Sequence, residues 1–113
     1  MAEQLTIDDS QSSPHTRVLR LNGALVISTI FPFQQTVRAD TSPSLIIDLS
    51  GISYCDSAGI GALVNAHVSR SRSNRELALR GVTDRVMAVL KITRVDQLFT
   101  FLPAEAASAT SNS

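Results

Sequence analysis

A serine stands where an aliphatic stretch gives way to small residues, in Asp56-Ser57-Ala58-Gly59-Ile60-Gly61-Ala62. Either Asp56 or Ser57 suits the N-cap of a following helix, because a short side chain with an oxygen can accept from the free amides of the first turn. A phosphate on Ser57 would bring about −1.5 to −2 charges to that helix start, where those amides and the helix dipole accept an anion. Such a modification leaves the fold alone and changes the surface. A partner shaped for a small, neutral helix end would meet a bulky anion beside Asp56. Each glycine in the opening turns costs up to ~1 kcal/mol against alanine in a helix interior. The small residues Ala58, Gly59, Gly61 and Ala62 either admit a partner's backbone or let the helix pack tightly on a sheet, and spacing alone leaves both open.

Other chemistry is poorly provided for. His15 and His67 lie far apart, and Cys55 is the one cysteine, so neither an internal disulfide nor a cysteine metal cluster can form. Cys55 and His67 flank one helix, but they read better as a small buried hydrophobe at a strand end and a partly packed helix residue. The sequence has no HExxH, no GxSxG and no phosphate loop. Gly59-Ile60-Gly61 begins a GxGxxG whose third glycine position holds Val64. Ten basic residues balance ten acidic ones, without the basic excess that nucleic acid demands. Arg70, Arg72 and Arg75 form a local cluster expected at a solvated helix end. The opening MAEQLTIDDS lacks the basic and apolar regions of a signal peptide, and no apolar run approaches the ~18 residues of a membrane span. The expectation is a cytoplasmic, non-enzymatic protein without cofactor, membrane insertion or nucleic-acid partner.

The elements that would position Ser57 can be read from periodicity. Gln4–Ile7 suggests a short edge strand and Asp8–Pro14 a polar turn. Thr16–Leu21 alternates as a strand, Asn22-Gly23 is read as a break, and Ala24–Ile27 resumes an apolar run. Ser28 or Thr29 suits a cap, Pro32 an early helical position, and Ile30, Phe33 and Val37 recur at helical spacing up to about Asp40. Leu45–Leu49 (LIIDL) has four apolar residues in five, the pattern of a parallel strand buried on both faces with Asp48 the exception. Ile60, Leu63, Val64, His67 and Val68 predict an amphipathic helix ending near Arg72. Glu76–Arg80 predicts a strand, Thr83 or Asp84 a cap for a helix carrying Val86, Val89 and Leu90, Leu98–Leu102 a last strand and Pro103–Ala107 a short helix. Strands alternating with helices imply a largely parallel sheet. A chain of 113 residues, 43% hydrophobic, suits one domain over 1–113, with a core of about 4–107 and a disordered tail at 108–113.

The segment LIIDLSGISYCDSAGIGALV resembles the centre of STAS domains, especially the bacterial anti-sigma factor antagonists: a hydrophobic strand ending in Asp, a short loop, then Asp-Ser-x-Gly-Ile/Leu opening a helix. The likeness continues more weakly through RVLRLNG (Arg17–Gly23) and RVMAVLKITRVDQLF (Arg85–Phe99). The resemblance implies an α/β fold, a mixed, largely parallel sheet with an antiparallel N-terminal edge strand and about four helices. It implies that Ser57 is the serine phosphorylated by a partner anti-sigma factor that is itself a serine protein kinase, and that Asp56 is its acidic neighbour. The unphosphorylated form would bind the anti-sigma factor and free the sigma factor through Asp56, Ser57, Ala58, Gly59, Ile60 and Gly61, with weak homodimerisation a further expectation. Family members often carry Gly-Glu-Leu-Asp after the second strand; here Gly23-Ala24-Leu25-Val26 lacks both acids. The alternatives are a STAS subunit docking on the ATPase of a lipid-transport ABC system, or a stressosome-like scaffold.

The lack of a ligand cluster or phosphate loop predicts silent calorimetric titrations with zinc and with ATP at micromolar protein. A stoichiometric, saturable heat with either would overturn the non-enzyme reading.

Overall fold

The computed structural model describes residues 4–104 and places five strands in one sheet: β1 (Leu5–Asp8), β2 (Thr16–Leu25), β3 (Ser44–Cys55), β4 (Glu76–Arg80) and β5 (Thr100–Leu102). Three helices connect the later strands, α1 (Ile30–Ala39), α2 (Ser57–Arg72) and α3 (Asp84–Ile92), with a 3-10 turn at Asp96–Leu98. The strands lie side by side in chain order, β1 antiparallel to β2 and all the others parallel. Right-handed crossovers between successive neighbours put every connecting helix on the same face of the sheet. Accordingly, Leu19, Leu21, Leu45, Ile47, Leu49, Leu77 and Leu79 share one buried cluster with Phe33 and Val37 of α1, Ile60, Leu63 and Ala66 of α2, and Val86 and Leu90 of α3.

The opposite face explains Asp48. Register places Asp8 against Arg20, Arg20 against Asp48 and Asp48 against Arg80, and residues directly opposite point to the same face. Charges therefore alternate in a row across four strands. At its centre Arg80 Nε donates to Asp48 Oδ2 at 2.8 Å, while the Ser50 hydroxyl donates to Asp48 Oδ1 at 2.6 Å. The expectation that β3 is buried on both faces is thus corrected: helices cover only the leucine face, and Ile46 is half-buried on the other.

Two other expectations change. Asn22-Gly23 does not break β2, which runs through to Leu25. Gly23 sits at φ 113, where a side chain would collide with the Gln4 carbonyl across the β1 pairing, so glycine keeps this strand continuous. The loop expected after Leu49 is strand: β3 continues to Cys55 through two bulges. Between Arg20↔Asp48 and Asn22↔Gly51, and again between Gly23↔Ile52 and Ala24↔Tyr54, β3 carries one extra residue. Each bulge resets which side chain points inward, so Ile52 joins the core out of phase with Leu45, Ile47 and Leu49, and after the second bulge Cys55 is inward and back in phase. The alternation rule failed there because it has no place for an inserted residue.

The helix number is three rather than about four. The fourth was expected at Pro103–Ala107; Pro103 and Ala104 belong to no helix, and residues 105–107, like the tail at 108–113, lie outside the described residues. β5 is also shorter than Leu98–Leu102, because Leu98 is taken up by the 3-10 turn.

Arg70 departs most from its expected solvated position. It is 2% exposed, and its guanidinium donates to Asp40 Oδ2 at 2.8 Å, to the Ser42 carbonyl at 2.8 Å and to the Glu76 carbonyl at 2.9 Å. Asp40, which ends α1, is buried too, and Arg17 Nη1 approaches its other oxygen at 3.5 Å. The last turn of α2 is therefore pinned to the end of α1 and the start of β3. Burial alone would raise the Asp40 pKa, but hydrogen bonds from Ser42 and the Arg70 charge outweigh it and hold the carboxyl below its usual value of 3.8. A guanidinium stays charged despite burial. Because the folded pKa is depressed, this contribution is present above pH 3.8 and is lost as pH falls through the folded value.

Breaking a buried pair from one side costs about 3–5 kcal/mol. Arg70→Met is expected to lower the melting temperature by more than ~10 °C, at ~4–8 °C per kcal/mol for a domain of this size. Thermal unfolding followed by circular dichroism checks this; a fall of ~2 °C or less would show that the network contributes little.

Candidate functional site

The two strand-to-helix connections nearest the centre of the sheet leave it side by side. Ala24 pairs with Tyr54 and Leu25 with Cys55 at the carboxyl ends of β2 and β3, so the loops into α1 and α2 start as neighbours. In open α/β sheets this edge is where functional loops gather.

Asp56 joins them. It is the N-cap of α2: its Oδ1 accepts from the Gly59 amide at 2.9 Å, and its Oδ2 accepts from the Ile27 amide of the neighbouring connection at 3.1 Å. The Asp56 amide in turn donates to the Leu25 carbonyl at 3.4 Å. On the other side Thr29 closes the turn before α1. Its buried hydroxyl donates to the Ala24 carbonyl at 2.7 Å and accepts from the Val26 amide at 2.9 Å. Thr29 occupies the N-cap position of α1 without capping it by its side chain, because the hydroxyl is spent on this turn.

Ser57 follows Asp56 as the first residue of α2, exposed, and its hydroxyl makes no hydrogen bond among the described residues. Amides of the first helical turn have no intrahelical partner. Asp56 occupies that of Gly59, leaving those of Ser57 and Ala58 to face the solvent side. The first turn contains no acidic side chain.

The two glycines behave oppositely. A Cβ on Gly59 would lie far inside van der Waals contact with the Leu25 carbonyl oxygen and 2.8 Å from Cys55 Sγ, so Gly59 is the point where α2 crosses the backbone of β2. A Cβ on Gly61 would meet nothing within 4 Å. Of the residues expected at the surface, Asp56, Ser57, Ala58 and Gly61 are exposed or half-buried, whereas Gly59 is buried and Ile60 is 4% exposed, part of the core.

Sequence reading missed three large apolar side chains on this edge. Ile27 is 70%, Phe31 64% and Tyr54 47% exposed, in the connection after β2, the first turn of α1 and the end of β3 respectively. Phe31 stands out of phase with the buried stripe of Phe33 and Val37, a signal that was present in the periodicity, whereas Ile27 lies before the helix.

Cys55 and His67 are not brought together as a pair. Cys55 is buried, and burial first, with the Asp56 charge second, pushes its thiol up to about 12, far from a reactive thiolate. His67 lies about 16 Å further along α2 than Asp56, at ~1.5 Å per residue, and packs edge-on against Phe99 with centroids 5.6 Å apart. Among the described residues no group of His, Cys, Asp and Glu is arranged to hold a metal, and no helix is long and apolar enough to cross a membrane.

A mixed sheet in this strand order, covered by helices on one face and carrying a serine at the capped start of α2, defines a STAS fold. The family described as "Mlab, STAS domain" matches residues 9–103, and the chain belongs to the STAS domain family. An anti-sigma-B factor antagonist of Staphylococcus aureus is 26% identical over 83 residues, 71% of this chain and 77% of that protein. Among solved structures, an anti-sigma factor antagonist from Mycobacterium paratuberculosis superposes with a TM-score of 0.73 at 18% identity, over 97% of this chain and 93% of that one. The Bacillus cell fate determinant SpoIIAA, in its phosphorylated form, gives 0.68 at 17% identity, over 96% of each chain. The fold also occurs inside a longer protein: 87% of this chain matches 20% of the SLC26A9 structure, with a TM-score of 0.72 at 18% identity.

Substituting the glycines separates packing from surface. Gly61→Ala is expected to leave the melting temperature unchanged or raise it slightly, since alanine gains up to ~1 kcal/mol in a helix. Gly59→Ala is expected to lower stability by at least ~1–3 kcal/mol, because backbone must move to admit the methyl. Equal melting temperatures for the two variants would contradict the crossing described.

Proposed function

We propose that this protein is an anti-sigma factor antagonist that binds an anti-sigma factor serine kinase and is released by phosphorylation of Ser57. The observation that carries the reading is an unpartnered, exposed Ser57 hydroxyl on a helix start held in place by Asp56, with apolar Ile27, Phe31 and Tyr54 exposed on the same edge. The antagonist relative supports the partner class, and the match of Asp56-Ser57-Ala58-Gly59-Ile60 to the family motif supports the modified residue.

The chemistry of the switch is local. Full burial of Ile27 and Phe31 against a partner would contribute about 1.5–3 kcal/mol each. A phosphate on Ser57 would sit at the edge of that apolar contact, beside the Asp56 carboxylate. The free Ser57 and Ala58 amides stabilise the phosphate in the unbound protein, whereas docking would have to desolvate it. The protein itself performs no catalysis in this scheme; the kinase supplies the phosphoryl transfer in the cytoplasm.

Docking on the ATPase of a lipid-transport ABC system is the second reading. It is favoured by Ala24 and Val26, which are buried and apolar at the positions where the antagonists often carry acids. Both readings use the same edge and differ in the partner.

Ser57→Ala is expected to bind the anti-sigma factor within about twofold of wild type and to take up no phosphate. Ser57→Asp is expected to bind at least ~10-fold more weakly, a difference of ~1.4 kcal/mol, with an unchanged circular dichroism spectrum. Phosphate mapping by mass spectrometry after incubation with the kinase is decisive. Modification at Ser53 or Thr83 instead, or undiminished binding by Ser57→Asp, would end this reading.

A further inference from the structure

A groove of about 360 Å³ runs between α1 and α2, floored by Phe33, Val37, Ala62 and Ala66. Small residues on α2 keep it open, and its two walls are tied at both ends. At the Ser57 end the Ile27 amide donates to Asp56, and at the other Arg70 pairs with Asp40. The two helices that wall the groove both start at the Ser57 edge. Phe31 precedes Gln34 and Arg38 at i, i+3 and i+7 on α1, and Ala58 precedes Ala62, Asn65 and Arg72 at i+4, i+7 and i+14 on α2, so each set shares a helix face. At the far end stand Arg38 and Arg72. Both are exposed, and among the described residues neither guanidinium has a hydrogen bond or ion pair.

We infer that the docking surface extends along this groove, and that the partner lays across it an element whose carboxylates meet Arg38 and Arg72, about 22 Å from Ser57 at ~1.5 Å per residue of α2. This rests on the partner-binding reading and adds the partner's polarity: apolar at the Ser57 edge, acidic at the far end. Arg70 already answers the one buried carboxylate at this end, Asp40, leaving the outer two cations for something outside the chain. The walls are tied before binding, so little ordering is required of them. The charges sit at the rim, where they act mainly on the rate of encounter.

The test is surface plasmon resonance with the host's purified anti-sigma factors, comparing wild type, Arg38→Glu/Arg72→Glu and, as a control for charge reversal away from the groove, Arg94→Glu, which lies on the connection after α3. The groove variant is expected to bind at least tenfold more weakly, chiefly through slower association. Its affinity should depend much less on salt, while Arg94→Glu stays within about twofold of wild type. Both changed arginines are exposed and unpaired but end α1 and α2, so the variant should remain folded by circular dichroism with its melting temperature lowered only by the unfavourable charge at two helix ends. Wild-type binding that the groove variant retains at low and high salt, or an equal loss with Arg94→Glu, overturns the groove and leaves the Ser57 reading standing. Absence of wild-type binding to every anti-sigma factor removes both.

Discussion

Everything at the Ser57 edge depends on one close approach, the crossing of the first turn of α2 over the backbone of β2 at Gly59 and Leu25. There is no room for a side chain, so the helix start is set by backbone contact rather than by rotamers. Asp56 makes the placement specific. One carboxylate oxygen closes the helix and the other holds the adjacent loop, so the two connections move as a unit. A serine attached to such a frame points outward at a fixed position, and a group added to it alters the surface without disturbing the interior.

At the opposite end a buried arginine has the same role with different chemistry. Arg70 satisfies two backbone carbonyls and the Asp40 carboxylate at once, which fixes where α1 ends and β3 begins. The far face of the sheet uses charge again, in the row through Asp8, Arg20, Asp48 and Arg80. With helices on only one side, that row gives the uncovered face charged groups of alternating sign, with Arg80 paired to Asp48 at its centre. The apolar residues of β3 are then free to serve a single core.

Much of this was legible in the sequence. The alternation of Glu76–Arg80 and the spacing of Ile60, Leu63, Val64 and His67 match the observed strand and helix, and the Asp-Ser-x-Gly motif pointed to the family. What escaped were features that local pattern does not encode. The extra residues in β3 turned strand into apparent loop, because alternation fails when two residues face one. Gly23 looked like a breaker since its reason, the close passage of Gln4, lies on another strand. Arg70 looked solvated because its partner, Asp40, is thirty residues away. The exposure of Phe31 follows from its miss of the buried α1 stripe, whereas that of Ile27, in a turn before the helix, has no periodic signal.

The order of the strands has a consequence for how the chain reaches this structure. Each strand pairs with the one before it, so no pairing waits for a distant segment, and each new βα unit finds its template already made. Each parallel pairing closes across a single helical crossover, so the loop entropy to be overcome is that of one βα unit at a time. Such a sheet can widen from the N-terminus in step with synthesis, one crossover at a time, and its final increment is the three-residue strand β5. Until that strand arrives, β4 is an open edge whose amides and carbonyls could recruit a foreign strand. The charged residues at both of its ends, Glu76 and Arg80, stand guard over that interval.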